Sequence, residues 1–231
     1  MQNEDIVAAY NRNYRTANFF GDRRWLYRPL VRAIIAHAGL KPGARVLDAG
    51  CGQGFFTAMF AEAGMDSLGV DLSAVGIDAA RREQAASGAR FEVGDVLNLP
   101  YARSFDLVFC RSLSLYNGAD FASAIEPSRR LLGYVAPSGQ FVFCYHSKLA
   151  RRKQAKSPAW RYHDLQDLQR HFARFDGARC LFSTRIDCLL LGRHGLSDAA
   201  SGASAALSRG LGIGGELLAF VPATASTLKA S

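Results

Sequence analysis

The stretch VLDAGCGQG, at 46–54, limits what this chain can fold into more than any other. An apolar, partly β-branched run meets an acid, Asp48, and then three alternating glycines, Gly50, Gly52 and Gly54, before the apolar FFTAMFAEAG begins. That order reads as a buried strand, a tight backbone turn and a helix stopping near Gly64. Glycine serves such a turn in two ways: it permits positive φ, and it removes side chains that would hold a ligand away from the backbone. The amides that open the following helix then face whatever sits above the strand.

The spacing narrows the choice. A dinucleotide fold uses G-x-G-x-x-G, whereas this chain has G-x-G-x-G preceded two residues earlier by an acid. A carboxylate repels a pyrophosphate and attracts an ammonium group, so Asp48 suits a ligand whose near end is zwitterionic. The pattern resembles the first motif of the class I methyltransferases that use S-adenosyl-L-methionine. The resemblance implies an α/β fold with a doubly wound, mostly parallel seven-stranded sheet, helices on both faces and an N-terminal helical cap. It also implies a last strand inserted antiparallel between the fifth and sixth, and S-adenosyl-L-homocysteine as product.

The rest of the chain agrees with that layout. Helical patterns over 1–40 place Leu26, Leu30, Ile34 and Ala38 at four-residue spacing, with Asp22 as a candidate cap and Pro29 as a candidate kink. Strands follow at 44–47, 67–70, 90–93, 105–110 and 140–144, with helices at 55–63, 74–86 and about 121–132. Ser73 is placed to cap the second of these helices, and Pro127 is expected to distort the third. Such alternation argues for a parallel, doubly wound sheet. Later come a helix face of Leu165, Leu168, Phe172 and Phe175, strands at 178–184 and 216–221, and an Ala/Ser/Gly-rich stretch at 195–215. The expected organisation is one domain over 1–231, with a cap at 1–40, a cofactor-binding core at 41–145 and a substrate-side part at 146–231 bearing a helical insertion near 188–214.

In an open parallel sheet, ligands sit beyond the carboxyl ends of the strands. Asp48, Asp71 and Asp95 all fall at such ends. Asp71 can accept both hydroxyl hydrogen bonds of a ribose, since a carboxylate pairs with a diol, or it can cap the next helix. The resemblance assigns Asp95 and the Val96 amide to the adenine, with a turn-forming Asp95 as the alternative. It extends the cofactor set to Tyr14 of the cap and to Cys51, Leu72, Cys110 and Arg111. The tetrapeptide NLPY precedes the fourth strand and carries one proline; N-P-P-Y enzymes, which methylate exocyclic base nitrogens, carry theirs after that strand.

A sulfonium methyl donor leaves the protein to align a nucleophile and exclude water. His146 and Tyr116, near the ends of the fifth and fourth strands, are the candidate catalytic residues. His146 is the better base because its ordinary pKa is near neutrality. His163, His171 and His194 lack companions at metal-ligand spacing, so no metal is expected. The formal charge is +8. Basic residues gather at Arg23, Arg24, Arg28 and Arg32 and again at Lys148, Arg151, Arg152, Lys153, Lys156 and Arg161. The expected acceptor is a small molecule methylated on oxygen or nitrogen, and these clusters would attract it if it is acidic. An RNA acceptor, which should bind with steep salt dependence, and a non-catalytic cofactor-binding module are the alternatives.

The chain has no apolar run of bilayer length and no export signal near its start. The five cysteines, Cys51, Cys110, Cys144, Cys180 and Cys188, are odd in number and widely spaced. They read as reduced core residues of a cytoplasmic protein.

Overall fold

The computed structural model describes residues 3–18, 20, 21, 23–117, 121–147 and 162–226. Helices α1 (Asn3–Thr16) and α2 (Arg24–His37) precede the first strand, β1 (Arg45–Ala49). Then α3 (Phe55–Glu62), β2 (Asp66–Asp71), α4 (Ala74–Glu83), β3 (Arg90–Val93) and β4 (Phe105–Arg111) alternate. The remainder comprises α5 (Ile125–Leu132), β5 (Val135–His146), α6 (Leu165–Phe172), β6 (Arg179–Ser183), α7 (Ile186–Leu191), α8 (Asp198–Leu211) and β7 (Glu216–Pro222).

The seven strands order as β3-β2-β1-β4-β5-β7-β6. β1 pairs in parallel with both β2 and β4, and β7 lies antiparallel between β5 and β6. The sheet reverses direction of growth at β1 and β4, which sets the ligand crevice above the ends of those strands. This is the doubly wound, mostly parallel seven-stranded sheet expected from the sequence.

Alternation along the strands divides the core between the two faces. Val46, Leu107, Phe109, Val142 and Leu218 pack with α2 and α3, whereas Leu47, Val108, Phe141, Phe143 and Leu217 pack on the α5 and α6 side. Each such fully buried side chain contributes roughly 1.5–3 kcal/mol.

Local chemistry sets the helix ends. Ser73 Oγ accepts from the Gly76 N–H at 3.0 Å, so the expected cap on α4 is present. Asp164 and Asp167 form a capping box on α6. Pro127 does not distort α5, because it occupies the first turn, where its missing N–H would have had no helical partner. α2 runs through Pro29, anchored by buried Tyr27, Leu30, Val31 and Ile34. β5 begins earlier than expected, at Val135, and its register with β4 shifts between Phe105 and Leu107. A side chain at Gly139 would come within 2.6 Å of the Asp106 carbonyl, so glycine there lets the two strands approach.

All five cysteines are free. Among the described residues no helix is long and apolar enough to cross a membrane. Asp22 and the basic residues Lys148, Arg151, Arg152, Lys153, Lys156 and Arg161 lie outside the described residues.

Candidate active site

The turn after β1 takes the conformation its glycines suggested. Gly50, Gly52 and Gly54 have φ of 80°, 54° and 75°, in the region side chains disfavour. Space adds a second constraint at Gly54, where a Cβ would stand 2.5 Å from the Phe91 ring and 2.9 Å from Ala80. The turn is tied to the neighbouring strand because Gly50 and Cys51 both donate their N–H to the Val70 carbonyl, at 2.8 and 3.1 Å.

Two of the strand-end acids bracket this turn. Asp71 Oδ2 accepts from the Gly52 N–H at 2.9 Å, and its Oδ1 accepts from the Ser73 N–H at 2.8 Å. It therefore faces the bend and also steadies the entry to α4. Burial raises its pKa, partly offset by these two amides. Asp48 is buried beneath the turn and accepts from Thr57 Oγ1 at 2.6 Å. Burial pushes its pKa up to about 7, against the pull of Thr57. A carboxylate so desolvated gains from an incoming cation.

Above the turn opens a cleft of about 420 Å³, whose lining includes Asp48, Gly50, Cys51 and Gly52. α1 closes one side of it. Tyr10 and Tyr14 stack with ring centroids 5.8 Å apart, and both line the cleft. A Cβ on Gly52 would lie 2.7 Å from the Tyr14 hydroxyl, so the absence of a side chain there admits this tyrosine.

The facing wall carries a buried charge cluster. Arg111 ends β4, and its Nη2 donates to both Glu216 oxygens at 3.1 Å. Glu216 begins the antiparallel β7, so its side chain enters at the same sheet edge as the ends of β4 and β5. Its Oε1 also lies 3.1 Å from His146 Nδ1 and 3.2 Å from Arg185 Nη1. Burial alone would raise the Glu216 pKa, but Arg111, His146 and Arg185 overcome it and hold the carboxyl far below its usual range. Arg111 packs over Phe20, Tyr27 and Phe56, with its guanidinium carbon 5.0, 5.2 and 4.9 Å from the ring centroids.

His146 lines the cleft with its Nε2 2.8 Å from Arg111 Nη2. Arginine can only donate, so this nitrogen is the acceptor and Nδ1 carries the hydrogen towards Glu216. Burial lowers the His146 pKa; Glu216 opposes that and Arg111 reinforces it. Ser112 and Arg185, at φ of 56° and 73°, are two of the three non-glycine residues with positive φ among the described residues, and both line the cleft. Strained backbone of this kind gathers at functional sites.

Of the residues singled out from sequence, Tyr14, Asp48, Gly50, Cys51, Gly52, Arg111 and His146 come together around the cleft. Gly54 caps α3 behind it, and Asp71 reaches it through Gly52. Asp95 forms a turn, accepting from the Leu97 N–H at 2.9 Å and the Asn98 side chain at 2.6 Å. Val96 and Cys110 are buried and Leu72 is partly exposed, away from the cleft lining. Tyr116 requires a correction. It is wholly buried, with its hydroxyl 3.0 Å from Ser128 Oγ on α5, because the short helix Ser114–Tyr116 turns it into the core. Of the basic flank on α2, Arg24 and Arg28 pair with Glu62, while Arg23 lines the cleft. Among the described residues no metal-ligand cluster occurs.

Glu216, Arg185 and Tyr27 were missed from sequence. The one available signal was an acid opening an apolar strand, ELLAFV, since a carboxylate drawn into a core must find cations.

A sequence profile described as a methyltransferase domain matches residues 40–182. The chain is 35% identical over 140 residues to the magnesium-protoporphyrin O-methyltransferase of Rhodobacter capsulatus, covering 56% of this chain and 62% of that protein. It is 30% identical over 163 residues to the malonyl-acyl-carrier-protein O-methyltransferase of Erwinia billingiae, covering 70% of this chain and 62% of that protein. The matches thus span about three fifths of the length of these relatives. The structure of magnesium protoporphyrin IX methyltransferase from Synechocystis with bound S-adenosylhomocysteine aligns over 95% of both chains, with a TM-score of 0.55 and 17% identity. At that identity the likeness speaks for the fold.

Proposed function

Because the chain belongs to the family of class I, S-adenosylmethionine-dependent methyltransferase domains, we propose that its cleft binds S-adenosylmethionine and that it methylates an oxygen atom of a small molecule. The observation that carries the cofactor half is the left-handed glycine turn bracketed by two buried carboxylates, Asp48 and Asp71. The donor set fits the ligand. Asp71 is held at the strand end by two amides, in position to pair with a diol. Asp48 is a desolvated acid suited to an ammonium group. Bound cofactor would supply a methyl group on a sulfonium, and the chain's work is alignment and exclusion of water. In this reading Asp95 and the Val96 amide would meet the adenine beyond the cleft lining, and Tyr14 covers the turn.

The acceptor would enter on the side of Arg111, His146 and Ser112, enclosed by Phe20, Tyr27 and Phe56. His146 presents its hydrogen-bonding edges to Arg111 and Glu216. It would serve as a base only for an acceptor that displaces Arg111 from Nε2. Transfer to oxygen is supported by the curated relatives, which are named O-methyltransferases.

Calorimetry with S-adenosylhomocysteine on the wild type and on Asp71→Ala tests the reading. Measurable uptake by the wild type and at least a tenfold loss in the variant are expected. Equal affinity, or no uptake by the wild type, would sink it. A panel of acceptors offered with methyl-labelled cofactor, ordered by charge, then addresses the second half.

A further inference from the structure

On the reading that the Arg111 side of the cleft receives the acceptor, we infer that the acceptor carries a carboxylate, and that Arg185, supported by Arg111, is the residue that selects for it. The first ground is charge. Arg111 and Arg185 share a single carboxylate, Glu216, so the two guanidinium groups carry one positive charge more than their common partner in a wall closed by aromatic rings. Excess charge held largely out of water is unfavourable, and a monoanionic ligand would neutralise it. Arg23 on the cleft lining adds to the attraction.

The second ground is unmet hydrogen bonding. Arg111 and Arg185 each keep a buried Nε–H that has no acceptor, and Ser112 on the same lining keeps a buried hydroxyl without a partner. Guanidinium groups recognise carboxylates through paired N–H donors. The third ground is backbone geometry. Arg185 sits at φ 73° at the entry to α7, a conformation costing of order 1–3 kcal/mol that holds its side chain against Glu216 and the Tyr27 hydroxyl, 2.9 Å away. Arg111 is fixed between rings, whereas Arg185 leaves 21% of its side chain exposed. The accessible donor is therefore Arg185, and Arg111 is its fixed neighbour. A carboxylate acceptor also needs no base, in keeping with a His146 whose acceptor nitrogen is already engaged.

Binding of simple acids and their neutral amides provides the test, with benzoate, hexanoate and octanoate set against benzamide, hexanamide and octanamide. Each is titrated into the full chain with and without S-adenosylhomocysteine. The acids should bind at least tenfold more tightly than the amides. Arg185→Gln should weaken acid binding at least tenfold and so remove that preference, with S-adenosylhomocysteine binding measured in parallel to show that the cleft is intact, and Arg185→Lys should restore part of it. Acids and amides binding alike, or an acid preference that survives Arg185→Gln, overturns the inference. A wild type that fails to take up S-adenosylhomocysteine strikes the cofactor reading instead, which separates the two failures.

Discussion

Thr57 Oγ1, on α3, donates to Asp48 Oδ2, at the end of β1, over 2.6 Å. The bond spans the glycine turn and pulls the Asp48 pKa down, while burial, the stronger influence, pushes it up to about 7. Asp48 is thus poised to change charge near neutrality.

Binding of a zwitterionic ligand should therefore release a proton from Asp48. At pH 6 the release should be close to about one proton, falling towards none by about pH 8.5. Calorimetry in buffers of different ionisation enthalpy measures it directly. Thr57→Val should shift this window upward and weaken S-adenosylhomocysteine binding at pH 7 by about tenfold. Heats that do not depend on the buffer at pH 6 would contradict the assignment.

Asp48→Asn should separate stability from binding. The folded state holds a proton on Asp48 that the unfolded chain gives up, so this group's effect on stability worsens as pH rises from 3.8 to about 7. Asparagine retains an acceptor for Thr57 and has no charge to desolvate. The variant should be more stable than wild type by about 1 kcal/mol or more at pH 8, while losing cofactor affinity. Thermal unfolding at pH 5 and pH 8 checks the first half, and a lower Tm at pH 8 would refute it.

Glu216 has the opposite sign. Its folded pKa is depressed, so its contribution is complete above the ordinary value of 4.5 and is lost as pH falls below it. Glu216→Ala leaves Arg111 and Arg185 facing each other in the core and should cost about 3–5 kcal/mol at pH 7. Chemical denaturation at pH 7 and pH 4 should show the gap between variant and wild type narrowing at the lower pH.

Gly52 and Gly54 should fail differently. Gly54→Ala drives a methyl group into Phe91 and Ala80 and should cost about 1–3 kcal/mol of stability. Gly52→Ala meets the Tyr14 hydroxyl on α1, where a side chain can shift, so stability should suffer less and cofactor affinity should fall at least tenfold. Equal losses of stability in the two variants would argue against this division.

Tyr14→Ala should quicken cofactor release several-fold with little change in association rate, because it uncovers Gly52 without altering Asp48 or Asp71. Stopped-flow displacement of S-adenosylhomocysteine reads both rates.

What the sequence disclosed and what it withheld follow chain separation. The turn at Gly50–Gly54, the Ser73 cap and the bounds of β3 depend on neighbours within a few residues, and local chemistry predicts them. The sequence places the fifth strand at 140–144, yet tertiary pairing with β4 extends β5 back through Pro137, Ser138 and Gly139 to Val135. Pro127 looked disruptive only because the helix start was placed a few residues too early. The cluster around Glu216 joins residues 105 positions apart for Arg111 and 158 for Arg185 and Tyr27, distances at which periodicity says nothing. Tyr116 was misplaced for a related reason: a strand end fixes where the backbone leaves the sheet and leaves open which way the next turn points.

The antiparallel insertion of β7 has a consequence for the order of assembly. A ribosome delivers the glycine turn, Asp48 and Asp71 long before it delivers Glu216, and until that final strand slots between its two neighbours Arg111 and Arg185 have no counter-ion in the wall. The acids around the turn therefore exist in the chain well before the charge cluster of the facing wall can be complete. The cleft wall that carries Arg111 is thus completed by the last of the described strands to be synthesised.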